Sequence, residues 1–393
     1  MRPILFLLPL LLSDLVFAEP RTWTNTKGTE IEAELISRDE NSITIRRTAD
    51  GKRFEVPIES LSASDREWLK ANAKGTGKGG NGIYIAVGNG AHRMSSLDGV
   101  DWTHHVYLDK PAHDQNDLKA IDVGNGTCVA VGGFSKSNIF TTTDGVSWDK
   151  NPFNIGVLSG VLFVDDRFLV FGEGGRVAAS KDGVSWEQIG DAKLRDHQKA
   201  EAENLGLDEV IKSNIRRWRH ANGVFVGAGD NCILVSTKDF EKWTFAERLE
   251  PKSRLFIESD GNGFVVRGDR TLHVSTDGIE WSEVTPELDE KTKLHSLVHD
   301  GERYLVNDRS GKAWESSDGS EWTEIDDATF PGTLATLRPD LYYSFETYWK
   351  YTEDLKISRD GGRSWESCTL PEPAGVTNII FAEGFPAFAP VAE

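Results

Sequence analysis

Hydrophobic and polar positions follow two different rules along the chain. Up to residue 72 they alternate: Ile31, Ala33 and Leu35 stand between Glu30, Glu32 and Glu34, and Ile43 and Ile45 between polar neighbours. Period two with one buried face predicts strands. The pair Asp50-Gly51 supplies the positive backbone angles of a tight hairpin, and Ser62 or Ser64 caps a short closing helix that carries Trp68 and Leu69. From residue 81 the pattern becomes short apolar runs after turns, such as Thr127 to Gly132, Arg167 to Gly172 and Gly223 to Gly227. Turn pairs precede them at Asn81-Gly82, Asn125-Gly126, Asp165-Asp166, Asn222-Gly223 and Asp300-Gly301. Between the two regimes lies a Gly-rich tether over 73–80.

Within the second regime one motif returns seven times: Ser or Thr, then Asp, usually Gly, and a Trp. The pairs are Asp98 with Trp102, Asp144 with Trp148, Asp182 with Trp186, Asp239 with Trp243, Asp277 with Trp281, Asp318 with Trp322, and Asp360 with Trp365. The Trp-to-Trp steps of 46, 38, 57, 38, 41 and 43 residues lie near the repeat length of a four-stranded propeller blade. The expected class is therefore all-β, a seven-bladed β-propeller over 81–393 preceded by a small barrel over 19–72. The long step of 57 places an insertion at 187–215. The first blade lacks a strand before its turn, and residues 377–382 have no motif of their own; the tail is expected to supply that strand. The Asp and Trp residues read as structural: Asp accepts turn N–H groups, Gly takes the positive angle, and Trp packs between blades.

The repeat resembles the Asp-box of sialidase-type propellers, Ser-x-Asp-x-Gly-x-x-Trp. Ser358 to Trp365 keeps the full spacing, and the other six turns are one residue shorter. The front segment resembles the Sla-type first homology domain, through Arg21-Thr22-Trp23 and the run Val56 to Asp65. That resemblance implies a Src-homology-three-like barrel that binds Asn-Pro-Phe peptides in endocytic adaptors. Asn151-Pro152-Phe153 occurs in this chain, where a turn use is expected. A sialidase would need three arginines, a Glu-activated Tyr, an acidic Asp and a Phe/Tyr-Arg-Ile-Pro motif; that motif is absent from the sequence.

Charge narrows the partners. With 44 Lys and Arg against 63 Asp and Glu, the net charge is −19, and such a surface repels nucleic acid. Met1-Arg2-Pro3, the apolar run from Ile4 to Leu12 and the small residue Ala18 before Glu19 form a secretory signal over 1–18. Asp14 is too close for a membrane helix, and no later segment is long or apolar enough to span a bilayer, so a secreted or periplasmic product is expected. Three scattered cysteines, Cys128, Cys232 and Cys368, read as small buried hydrophobes.

Ligands of propellers of this kind meet the face opposite the Asp turns, where second-to-third-strand loops gather. The candidate cations there are His92, Arg93, Lys136, Arg176, Arg270, Arg309 and Lys350. Together they would hold an anionic group, with Arg giving two-pronged contacts; the competing reading, favoured over it, is that they are ordinary solvated loop cations paired with acids such as Asp269 and Asp308. Tyr342, Tyr343 and Glu346 lie close enough to suggest catalysis, and His295 and His299 a metal, but aromatic strands are usually core and no third ligand is nearby. The expectation is a secreted, non-catalytic adaptor without cofactor, its propeller holding a protein or glycan and its small barrel a peptide. The alternative is a carbohydrate-active hydrolase of the sialidase-like class.

Overall fold

A computed structural model describes residues 21–386 apart from 39–41, 49–52, 72–81, 109–115, 192, 195, 197–199, 201–213, 247–248, 251–252 and 346–353. The expected signal segment, the Gly-rich tether, the hairpin turn expected at Asp50-Gly51, Glu346, Lys350 and most of the insertion lie outside the described residues. The chain divides into two compact units, Met1–Gly80 and Asn81–Glu393.

In the first unit four strands, β1 (Arg21–Thr24), β2 (Glu30–Arg38), β3 (Ser42–Arg47) and β4 (Arg53–Pro57), form an antiparallel sheet in chain order, followed by a helix, α1 (Ala63–Ala71). Trp23, Ala33, Ile43, Ile45, Leu61 and Leu69 make its core. The two ends of this unit are tied through Asp65, which is almost fully buried. It accepts hydrogen bonds from Arg21 Nη2 at 2.6 Å, the Thr24 amide at 2.7 Å and the Ser62 hydroxyl at 3.0 Å. Arg21 lies against the rings of Trp23 and Trp68, at 4.5 and 4.0 Å from their centroids.

The second unit is a seven-bladed β-propeller, each blade a four-stranded antiparallel sheet. The inner strands, numbered by blade, are Val376–Glu383, Leu118–Gly124, Leu158–Val164, Ile215–Ala221, Phe256–Ser259, Leu294–His299 and Thr333–Arg338. Blade 1 is closed by the tail: Val376–Glu383 pairs antiparallel with Gly82–Gly88, from Val376 opposite Gly88 to Glu383 opposite Gly82. Both faces of most blades are buried, because each meets a neighbour on either side. In Gly82–Gly88, Ile83, Ile85 and Val87 pack toward blade 2, while Tyr84 and Ala86 pack toward blade 7. Seven apolar clusters fill the seven seams and close the ring.

The recurring turns fasten those seams. Asp98 Oδ1 accepts the amides of Val100 and Asp101 at 2.8 and 2.9 Å, and the Ser96 hydroxyl accepts the Gly99 amide at 2.8 Å. Asp144, Asp182, Asp239 and Asp277 repeat the bonding. In the last copy the extra residue moves the acceptor contact to the amide of Ser364, at 2.9 Å from Asp360. The motif glycine is pressed on the preceding blade: a Cβ on Gly145 would lie 2.1 Å from Ile83 and one on Gly183 2.8 Å from Val129, and both have positive φ. Phe240 replaces that glycine in blade 4 at φ 60°, its ring buried against Phe225. Each motif Trp lies in the seam with the preceding blade, but only Trp102 and Trp243 are fully buried. Trp148, Trp186, Trp281, Trp322 and Trp365 are half-buried, so the seams hold their indoles at different depths.

The excursion before blade 4 is shorter than 187–215. Glu187–Gly190 is the outer strand of blade 3, which leaves 191–214 for the insertion. Asn151-Pro152-Phe153 forms a turn: Asn151 Oδ1 accepts the Phe153 amide at 2.9 Å, and the Phe153 ring stacks against Trp186. No helix among the described residues is long and apolar enough to cross a membrane.

Candidate functional site

The inner strands begin at the end of the propeller opposite the Asp turns, and five of them begin with a β-bulge. The register shifts between Leu118 and Ala120, Leu158 and Gly160, Ile215 and Arg217, Leu294 and Ser296, and Val376 and Asn378. The bulged residues are therefore Lys119, Ser159, Arg216, His295 and Thr377. A bulge re-aims the side chain of the extra residue, and four of these five line a cavity of about 630 Å³ at the mouth of the ring. Ser159 instead faces a seam, where its hydroxyl accepts the Trp218 indole N–H at 3.2 Å.

Glycine accompanies three of these bulges, in blades 1, 2 and 4. At the end of the second strand, Gly88, Gly132 and Gly229 let the incoming crossover chain lie on the backbone. A Cβ there would stand 2.0 Å from Gly375 O, 1.9 Å from Asp117 O and 1.9 Å from Asn214 O. The residue after each glycine then donates its amide to that carbonyl: Asn89 to Gly375 at 3.0 Å, Gly133 to Asp117 at 2.8 Å and Asp230 to Asn214 at 3.0 Å.

Lys119, Arg216, Arg217, Arg254, Arg267, Lys293 and Arg309 line the cavity, with two carboxylates, Asp117 and Asp269. Behind them, Asp230 takes Arg216 at 2.6 Å and Arg254 at 2.7 Å, and Glu258 takes Arg217 at 3.1 Å and Arg219 at 2.7 Å. Seven Lys and Arg side chains thus line the cavity against two lining carboxylates, with Asp230 and Glu258 behind them, on a chain whose net charge is −19. Burial, followed by the nearby Arg216 charge, lowers the Lys119 pKa; its ammonium donates to Gly133 O at 2.8 Å. The rim adds Phe134, 62% exposed, and the walls Phe256, Leu334 and Phe345.

Of the residues expected at the mouth, Arg309 lines it. His92 and Arg93 do not. The turn before them is a single tight one, Asn89–Ala91, so His92 closes the turn and Arg93 opens the next strand, Arg93–Ser96, His92 stacked on Tyr107 at 4.0 Å and Arg93 over Phe140 at 4.1 Å. Lys136 is exposed and Arg176 half-buried, both outside the cavity lining. Arg270 donates to the carbonyls of Glu290 and Asp289 in the next crossover. The bulged basic residues at the mouth carry a sequence signal that strand-loop counting overlooks: an aliphatic residue followed at once by a polar one, as in Leu118-Lys119, Ile215-Arg216 and Leu294-His295.

Tyr342 and Tyr343 are core: their hydroxyls donate to Asp300 at 2.5 Å and Gly99 O at 3.0 Å. Among the described residues no group of three or more His, Cys, Asp or Glu is placed to hold a metal ion. Cys128, Cys232 and Cys368 are buried and form no disulfide with one another.

No family model matches the chain, and no curated protein matches it. Solved structures similar to it include YCF48 bound to D1 peptide, at 14% identity and TM-score 0.50 over 72% of this chain and 91% of that one. YCF48 from Cyanidioschyzon merolae has 12% identity and TM-score 0.44 over 72% and 94%. BamB from Moraxella catarrhalis has 12% and 0.45 over 79% and 92%. At these identities the likeness is one of fold.

Proposed function

We propose that this chain is an exported, non-catalytic binding protein that holds an acidic segment of a partner protein in its propeller mouth. The observation that carries the reading is the cationic surplus lining the cavity of an otherwise acidic molecule. Such a cavity attracts anions by its local field while the outer surface repels them, and arginines already fixed by Asp230 and Glu258 present their remaining N–H groups with little loss of freedom. The exposed Phe134 beside the cations supplies an apolar contact of the kind that anchors polypeptides. YCF48 has been solved with a D1 peptide, so a propeller of this fold can hold a polypeptide segment. Export rests on the segment 1–18, and kinship with Asp-box propellers on the seven turns. The Sla-type assignment of the first unit draws support from Asp65, which joins the Arg21-Thr22-Trp23 stretch to the start of the helix.

Fluorescence anisotropy with a labelled octapeptide of Glu and Gly, against its Gln counterpart, tests the reading. The acidic peptide is expected to bind and to weaken steeply as salt rises, and Lys119→Gln is expected to weaken it by about three- to tenfold. Equal binding of the two peptides, tighter binding of a sulfated oligosaccharide than of either, or turnover of fluorogenic glycosides would each overturn it.

A further inference from the structure

At one corner of the mouth the arginine has no carboxylate in ion-pair contact, unlike the paired Arg216, Arg217 and Arg254. Arg267 ends the second strand of blade 5, Phe264–Arg267, and is 4% exposed, its guanidinium over the Phe256 ring at 4.1 Å. Its two Nη atoms donate to the carbonyls of Gly268 and His295, and its buried Nε has no acceptor. The nearest acids are engaged elsewhere: Asp269 with Lys293 at 3.3 Å, and Glu250 with the Thr271 hydroxyl at 2.9 Å and the Arg270 amide at 3.2 Å. Burial pulls the Arg267 pKa down to about 9 against the opposing charges of Asp269 and Glu250, neither of which is in contact with it as an ion pair, and the group stays charged at neutral pH.

Across the cavity wall stand the bulged His295, its Nε2 3.2 Å from the Thr333 hydroxyl, and Arg309, which makes no hydrogen bond or ion pair among the described residues. Burial first, then Arg267 and Arg309, hold His295 at about 4, against the opposing charge of Asp308. Asp308 itself is tied down by the amides of Ser310 and Lys312 and the Ser310 hydroxyl. The other mouth arginines share a carboxylate two by two. Arg267 and Arg309 share none, and a buried cation without a partner is costly to keep.

Resting on the reading of the mouth as a receptor for an acidic segment, we propose that Arg267, with Arg309 and His295 beside it, forms a subsite for one carboxylate of that segment. The other cations then set the general attraction to anions, whereas this corner selects one position of the ligand. A carboxylate entering it supplies the missing charge, and expelling water there strengthens the pair.

The test is a double-substitution cycle with the full chain and a set of octapeptides in which each Glu in turn is replaced by Gln. In the unaltered protein one replacement is expected to weaken binding about tenfold and the others about twofold. In Arg267→Lys, which keeps the charge but not the fork, that position should lose its special cost, and Arg309→Gln, at an exposed site, should reduce it in part. Unchanged melting temperatures confirm that both variants fold. If every replacement costs the same in the unaltered protein, or if the special position survives both substitutions, the subsite is wrong while the receptor reading stands. If acidic and neutral peptides bind alike in the unaltered protein, the receptor reading itself fails and takes the subsite with it.

Discussion

His92 shows what one residue's surroundings do to its chemistry. A histidine beside an arginine after a tight turn suggests a cationic pair at a binding face. In the folded chain its ring is stacked on Tyr107, its Nε2 buried without a partner, and burial, then His105 and Arg93, hold its pKa at about 3. That folded value lies below the unfolded 6.5, so the contribution of neutral His92 to stability is complete above pH 6.5. It is lost progressively as pH falls from 6.5 toward 3. His92→Phe keeps a ring on Tyr107 and removes the proton. We expect the drop in melting temperature between pH 7 and pH 4 to shrink in that variant; an equal drop would show that His92 does not set the acid limb. At Asp182 the direction is the same and the cause differs: the amides of Ser185 and Val184 favour the charged carboxylate and pull it down to about 2. Its stabilising contribution is present above the unfolded value near 3.8 and disappears as pH falls through 2, so Asp182→Asn should flatten the melting temperature between pH 4 and pH 2.

At the scale of the element, the recurring turn fixes its own loop by bonding amides to Asp, and it fixes the blade to its neighbour through Gly and Trp. The first task is local and is therefore legible in the sequence; the second is graded by depth, which spacing does not reveal. Trp102, 2% exposed, lies between Tyr343 of blade 7 and the inner layers of blade 1, whereas Trp186 is half-buried against Phe153. Trp102→Ala is expected to cost about 3–5 kcal/mol and Trp186→Ala about half of that, by chemical denaturation. Equal losses would mean that depth is not what differentiates the seams. Phe240 makes the same point from the backbone side. The turn geometry asks for glycine, but blade 4 uses the ring to fill the seam with blade 3, where it meets Phe171.

For the whole molecule, closure decides stability. Blade 1 is assembled from the two ends of the propeller segment, and its inner strand arrives from residues about 290 positions away. Ending the chain before Gly375 would remove that strand, expose the edge of Gly82–Gly88 and open the apolar faces of Ile379, Ile380 and Phe381 partners. The truncated chain is expected to be recovered as aggregate, measured as the soluble fraction and by size-exclusion chromatography. A soluble, monomeric product would mean that the remaining seams hold the ring without it.

Seven Asp-to-Trp turns at near-constant steps, and a tail with no turn of its own, were enough to read a closed ring of seven blades from the sequence, because turn bonding and strand period are local. The cations at the mouth were not readable in the same way. His92, Arg93 and Arg270 are close in sequence to the right loops and outside the cavity lining, whereas Lys119, Arg216 and Arg267 come from strands. Which side chains converge depends on where a bulge turns the strand and on which carboxylates from neighbouring blades reach them. Those are distances between segments remote in the chain, and only the packed ring sets them.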